Sequence, residues 1–339
     1  MLTVTNIRDR LWGNAQYKFS IIFCSLYAVI FYGNQQNSKI LWYIFISIIL
    51  SIGVAGIGYS LNDWYDYKDD LKNNKQNIFL YFNKFQSFII VLLFIFFSIF
   101  PWFILPFNHF SLYLLGLEFI LFIVYALPPI RLKEREIIGV ITDALYAQVI
   151  PCLLAIYTYF MIVSGVTLNK TILIPFTTWL LFSGCRNILN HQIEDYANDL
   201  NTKTKTFVVT NGIPITQNSI MYFFAPIEFI LFFTVLLLLP PFNIILCTIY
   251  LLFAISYLIV FYLKSNQTLF IDRKQLFQFI NQKLLNEFYE IHLPILLLIL
   301  FSIKNKDFIW ILFLNILLFF PIFYRYAKGF FLKYLLNGK

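Results

Sequence analysis

The chain has 339 residues, of which 60% are hydrophobic and only 12% charged, and its formal net charge is +8. A soluble domain carries roughly 25% charged residues, so a water-soluble fold is excluded, and the basic excess is read against a membrane rather than a nucleic acid. Residues 40–61 hold no charged side chain, long enough for the ~20 apolar residues that cross a bilayer.

Ahead of the first apolar run lie Arg8, Asp9 and Arg10. No small-residue cleavage site follows that run, so no cleaved signal is expected. Ten spans are predicted, at 17–33, 40–61, 86–105, 110–127, 137–163, 172–190, 219–240, 243–263, 287–303 and 308–324. They predict an all-α polytopic transmembrane bundle. A segment at 1–16 precedes a single membrane domain at 17–326, and a basic tail at 327–339 follows. With the N-terminus placed in the cytoplasm, 21 of the 25 lysines and arginines fall on that side, three of them at the sixth-to-seventh connection. Lys39, Lys170, Lys304 and Lys306 fall outside. Basic span ends resist translocation, so both termini are expected in the cytoplasm. Richness in Ile, Phe, Asn and Lys points to an AT-rich genome, and a bacterial inner membrane is the expected location.

The second span carries Gly53, Ala55, Gly56, Gly58 and Ser60, small residues that let helices approach closely in lipid. Continued helically, it aligns Asn62, Asp66 and Asp70 on one face, with Asp63 beside them. Lys72 and Lys75 follow. The ninth span is short and carries Glu287, Glu290 and His292, whereas the fourth, fifth and seventh bury Glu118, Asp143 and Glu228. Acids at membrane depth line a cavity or pair internally; these are candidates to orient a polar acceptor or take its proton, with Asp143 favoured for a place in a cavity. Cys24, Cys152, Cys185 and Cys247 stand singly in apolar segments without metal-ligand spacing.

The sequence DYKDDL at 66–71 recurs as DYANDL at 195–200, an offset of 129 residues. One copy follows the second span and one the sixth, so both face the same side of the membrane, and two equivalent four-span halves account for the repeat. His191, Asp195 and Asp199 then form a stripe matching the first, trailed by Lys203 and Lys205. Two carboxylates one helical turn apart, about 6 Å, repel by about 3 kcal/mol at an effective dielectric near 20. Such a cluster needs cations. Oxygen donors suit magnesium, which usually bridges carboxylates to a phosphate-bearing substrate rather than sitting in an all-protein cage. The lysines would act as point charges on a diphosphate.

Together, Asn62 through Asp70 as NDxxDxxxD and Asp195 through Asp199 as DxxxD resemble the UbiA superfamily of intramembrane prenyltransferases. The second motif continues like that family's with Lys205-Thr206-Phe207 and then Gly212. A third match, Tyr125-Ala126-Leu127-Pro128-Pro129-Ile130-Arg131-Leu132-Lys133, is similar to the YSxPPxRLK segment of chlorophyll-synthase-like and archaeal-lipid-type members. The resemblance implies a bundle of generally nine spans around a central cavity, capped on the cytoplasmic side by the acidic motifs. It implies two magnesium ions held by Asp63, Asp66, Asp70, Asp195 and Asp199 with Asn62 assisting. The expected substrate contacts are Asn62, Lys72, Lys75, Tyr125, Arg131, Lys133, Asp143, His191, Lys203 and Lys205. The implied reaction ionises an isoprenyl diphosphate and attaches the prenyl group to a hydrophobic acceptor, among membrane lipids and with no protein or nucleic-acid partner. A membrane terpene cyclase shares the first step. A cation-coupled transporter is disfavoured because the acids crowd at one membrane face. A phosphatidyl-type alcohol transferase is disfavoured because no DGxxAR signature is present.

Overall fold

The computed structural model describes residues 15–33, 39–73, 75, 77–106, 108–160, 170–264 and 273–331. Most of the expected terminal segments, 1–16 and 327–339, lies outside them. The described residues form helices and short connections, with no strand among them. Lipid offers no hydrogen-bond partner to the backbone, and a helix satisfies every amide within itself. Eleven longer helices follow in order: α1 (Ala15–Tyr32), α2 (Lys39–Tyr65), α3 (Lys84–Phe103), α4 (His109–Ala126), α5 (Glu136–Phe160), α6 (Lys170–Glu194), α7 (Ile213–Leu237), α8 (Asn243–Lys264), α9 (Leu276–Lys304), α10 (Phe308–Leu318) and α11 (Phe320–Phe331).

The first nine predicted spans coincide with α1–α9, whereas the tenth, at 308–324, is broken at Phe319 and shared between α10 and α11. Among the described residues, α2–α7 and α9 are long and apolar enough to cross a membrane. α10 and α11 form a pair bent by 67°, which would make an eighth crossing if the pair is one span. The apolar stretches of α1 and α8, Lys18–Tyr32 and Asn243–Ile259, fall short of that length. The chain is an integral membrane protein.

The ninth span is longer than its apolar run. α9 begins well before residue 287 because its polar turns are held inside the protein by Arg186 of α6. That arginine, one of the three cations expected at the sixth-to-seventh connection, is fully buried and grips Glu228 of α7 in a two-pronged ion pair at 2.6 and 3.0 Å. Nη1 reaches the carbonyl and side-chain oxygens of Asn281, and Nη2, one of the two prongs on Glu228, also donates to the side chain of Asn286. The sequence reading left Glu228 open between a cavity and an internal partner; it has the partner. Breaking one side of such a pair strands a charge and costs about 3–5 kcal/mol.

Packing distributes the helices around a cavity. α2 lies against α3 and α4, α5 against α1, α4 and α6, and α7 between α6 and α8; α9 then returns to α1. The small residues of α2 do what their type suggests. A Cβ at Gly53 would stand 2.4 Å from the backbone nitrogen of Ser98 in α3, and one at Gly184 in α6 would stand 2.8 Å from the Cα of Ala144 in α5. No larger residue fits either crossing without separating the helices. The walls of the cavity come from α1, α2, α4, α5 and α6.

Candidate active site

Both acidic stripes break their helix at the same residue. Asp66 (φ −80°, ψ 4°) ends α2 and starts a short helix at Tyr67–Lys72; Asp195 (φ −87°, ψ 0°) ends α6 and starts one at Tyr196–Thr202. The four-residue hydrogen bonds continue through each break, from Asp66 to Asn62 and Asp70 to Asp66, and from Asp195 to His191 and Asp199 to Asp195, all between 2.8 and 2.9 Å. The stripes therefore keep their alignment despite the kink.

The correspondence extends beyond the motif. The amide of Lys75 bonds the carbonyl of Asp70 at 2.9 Å, and 129 residues on, Thr204 bonds Asp199 at 2.9 Å. Asn77 donates to the Asp70 carboxylate at 2.7 Å and Thr206 to that of Asp199 at 3.3 Å. Asp63 accepts the Ile78 amide at 3.0 Å; its counterpart Gln192 accepts the Val208 amide at 3.4 Å. Each Asp-rich end is thus followed by a return loop fastened to it in the same way.

The two ends meet across a cleft of about 350 Å³. Its walls are nearly symmetric: Asn62, Asp66, Asp69, Asp70, Asn73 and Lys75 face His191, Asp195, Asn198, Asp199, Thr202 and Thr204. Lys75 crosses the cleft to Asp195 at 3.1 Å. Lys133, from the connection after α4, holds Asp66 at 2.5 and 2.6 Å, and Arg131 stands 3.4 Å from the same carboxylate. Arg131 adopts φ 40°, uncommon for a residue with a side chain. Its guanidinium lies over the Tyr65 ring and pairs with Glu134, which fixes the turn.

Among the described residues, no such cation is in direct contact with Asp199. Burial and then the neighbouring Asp195 push its carboxyl above the usual carboxylate range, against the opposing pull of Lys75, Thr206 and Lys133. The cleft therefore holds more negative charge than its lysines neutralise. Among the described residues, no three His, Cys, Asp or Glu side chains are close enough to hold a metal unaided. Carboxylates spread over two walls with oxygen donors between them suit hard cations that share their coordination with a phosphate ligand, so the residues present fit magnesium in that setting.

Of the residues singled out from the sequence, the cleft assembles Asn62, Asp66, Asp70, Lys75, Tyr125, Lys133, His191, Asp195 and Asp199. Asp63 is buried, does not line the cleft, and spends its carboxylate on the Ile78 amide. Lys72 turns outward toward Asp69 with its side chain 72% exposed. Lys203 and Lys205 are also exposed, because Lys203 ends the short helix in the left-handed conformation (φ 59°) and a tight turn closed by the Thr206 amide on the Thr204 carbonyl follows, with Thr204 and Thr206 turned inward instead. Those threonines, with Thr202 and Gln192, were missed by sequence reasoning. Applying the 129-residue offset to Asn73, Lys75, Asn77 and Asp63 would have found all four.

Below the cleft a second chamber of about 520 Å³ opens inside the bundle. Asn62, Tyr125, Ile188 and His191 line both chambers and so join them. Beneath that junction Asp143 accepts the Tyr146 hydroxyl at 2.5 Å, and the Tyr146 ring meets those of Tyr125 and Phe122 edge-on at 5.1 and 5.0 Å. Asp143 stands on the cavity wall, as favoured from the sequence. A polar, anion-rich chamber thus opens into a mainly apolar one lined with aromatic rings.

The UbiA prenyltransferase family model matches residues 21–281. Solved structures of a UbiA homolog from Archaeoglobus fulgidus share the fold. The form bound to DMAPP and Mg2+ superposes with TM-score 0.54 at 18% identity, covering 84% of this chain and 98% of the other. The form bound to GPP and Mg2+ gives 0.52 at 18% identity with the same coverage. No curated protein matches the sequence. On the family match over most of its length, the chain belongs to the UbiA prenyltransferase family.

Proposed function

We propose that the protein transfers a prenyl group from an isoprenyl diphosphate to a hydrophobic acceptor inside the membrane and releases diphosphate. The observation that carries this reading is the meeting of two equivalent aspartate-bearing helix ends across one cleft directly above an apolar chamber. Asp66, Asp70, Asp195 and Asp199, with Asn62, would hold two magnesium ions together with the diphosphate. Magnesium there would neutralise the charge that develops on the leaving group. Lys75 and Lys133 would contact diphosphate oxygens, since they are the lysines on the cleft wall. Asp63 has a supporting task, fastening the 77–78 loop.

In this reading the allylic C–O bond breaks with its electron pair leaving on the diphosphate, and the prenyl carbon bonds to the acceptor, which gives up a proton. Tyr125 at the junction and Tyr146 beneath it would shield the carbon from water, and their aromatic rings would favour its positive charge. Asp143 is placed to receive the acceptor's proton, because its carboxylate lies on the chamber wall just below the cleft. The lysine bias supports a cleft at the cytoplasmic face, and the richness in Ile, Phe, Asn and Lys supports a bacterial inner membrane.

The archaeal relative was captured with DMAPP and with GPP, which makes geranyl diphosphate a direct probe. Purified protein should release diphosphate from it with magnesium and cease when the metal is chelated. Release that continues under chelation, or none with any prenyl diphosphate, would overturn the reading.

A further inference from the structure

We propose that the deep end of the inner chamber binds a hydroxyl group of the prenyl acceptor between Glu118 and Gln148. The inference deepens the prenyltransferase reading, and rests on it, by naming a chemical feature of the acceptor. Glu118 of α4 is 2% exposed and Gln148 of α5 is 3% exposed. Both line the chamber. Oε2 of Glu118 and Nε2 of Gln148 are shut away from solvent and find no hydrogen-bond partner among the described residues.

The other buried acids are each accounted for. Asp63 takes the Ile78 amide, Asp70 the Asn77 side chain, Asp143 the Tyr146 hydroxyl, and Glu228 the Arg186 guanidinium. An unpaired buried polar group costs about 1–3 kcal/mol, and native structures carry few of them. Two on the wall of one cavity call for a ligand that completes both.

The backbone is arranged to present them. α5 widens into a π turn at Leu145–Val149, and three successive residues, Tyr146, Ala147 and Gln148, come to the chamber wall as a result. π turns recur at functional sites for this reason. α4 packs directly against the half of α5 that follows. Glu118 lies eight residues inside the cleft end of α4, about 12 Å at the helical rise, well below the diphosphate chamber.

The chemistry selects the ligand. A prenyl tail is hydrocarbon and would leave both groups unpaired. Nε2 of Gln148 only donates, and a carboxyl group keeps an acceptor oxygen whether or not it carries a proton. One hydroxyl oxygen can accept from Gln148 while its hydrogen is donated to Glu118. A methyl ether can do the first and not the second.

The probes are 1-naphthol and 1-methoxynaphthalene, titrated calorimetrically into the full chain in detergent. Wild type should bind the naphthol about tenfold more tightly than the ether, the yield of one well-made hydrogen bond. Glu118→Met and Gln148→Met should each bring that ratio close to one. They should also melt no lower than wild type, because each removes an unpaired polar group and keeps its volume. Equal binding of the two probes by wild type would overturn the proposal, as would an unchanged ratio in both variants. Should neither methionine variant fold, Glu118→Leu and Gln148→Leu take their place, and the wild-type ratio decides the matter in the same way. Diphosphate release by wild type reports separately on the prenyltransferase reading, so the two failures are distinguishable.

Discussion

After α2 the chain runs through Asp66, one short helix, Lys75 and Asn77 into the next helix; after α6 it runs through Asp195, one short helix, Thr204 and Thr206 into another. The backbone breaks and turn hydrogen bonds coincide at an offset of 129 residues, and the amides that fasten the loops, Ile78 and Val208, keep it to within one residue. The side chains do not. Aspartate is common to both halves at 66/195 and 70/199, and all four line the cleft. At 63/192 one half has aspartate and the other glutamine, and both fasten a return loop through a backbone amide. Fastening needs an acceptor oxygen, which either residue supplies, whereas gathering divalent ions needs charge. Comparing the halves thus separates residues that the backbone requires from those that the chemistry requires.

The sharpest way to break this comparison is at the shared aspartates. Asp66→Asn, Asp70→Asn, Asp195→Asn and Asp199→Asn should each lower magnesium-dependent diphosphate release by about 100- to 1000-fold, the scale for removing one group that stabilises developing charge. Steady-state release of diphosphate from geranyl diphosphate measures it. A pair of equivalent positions with very different losses would show that the halves are alike in backbone only.

Next come the lysines, which the halves do not share. Lys133→Ala removes the cation that holds Asp66 and should cost roughly tenfold to a hundredfold, like other residues that orient a metal ligand. Lys75→Ala should behave similarly through Asp195. Lys203→Ala and Lys205→Ala, on exposed side chains, should stay within about twofold of wild type. A large loss at Lys205 would mean that the 204–206 turn inverts when substrate binds.

Asp63 offers a smaller and more discriminating test. Asp63→Asn keeps an oxygen for the Ile78 amide, as Gln192 does for Val208, and should retain most activity. Asp63→Ala leaves that amide unpaired and should destabilise the protein by about 1–3 kcal/mol. Comparing melting temperatures with turnover separates the roles, and inactive, fully stable Asp63→Asn would return Asp63 to the metal site.

The smallest effect is electrostatic. Asp199 is held above the ordinary carboxylate range by burial and by Asp195, so its ionisation weakens the folded state. That penalty is present above its folded value, fades as pH falls through it, and is gone below the ordinary value of about 3.9, where both states are protonated. Without divalent ions, Asp199→Asn should therefore melt higher than wild type at neutral pH and alike at low pH. A lower melting point at neutral pH would mean that Lys75 and Lys133 already outweigh the repulsion.

Much of this arrangement was legible in the sequence. Nine of the ten apolar runs became single helices because a lipid-facing segment leaves the backbone no alternative, the tenth became the bent pair α10 and α11, and the DYxxDL repeat located both walls of the cleft. What escaped had physical reasons. α9 looked short because Asn281 and Asn286 are polar, and their burial depends on Arg186, distant in sequence and itself counted as a loop cation. Lys203 and Lys205 were expected in the site because they trail the second stripe, but the left-handed Lys203 and the tight turn after it leave both exposed. The roles of Glu118 and Glu228 differ although both are lone acids in apolar spans, and only the three-dimensional neighbourhood tells them apart.

The central claim is that the two helix ends form one site, and a double-mutant cycle tests it most directly. Diphosphate release would be measured for wild type, Asp66→Asn, Asp195→Asn and the combination. Residues acting as a unit are non-additive, so the combined variant should be scarcely slower than either single one. Losses that multiply would contradict the account, since they would mean that each aspartate serves a separate function.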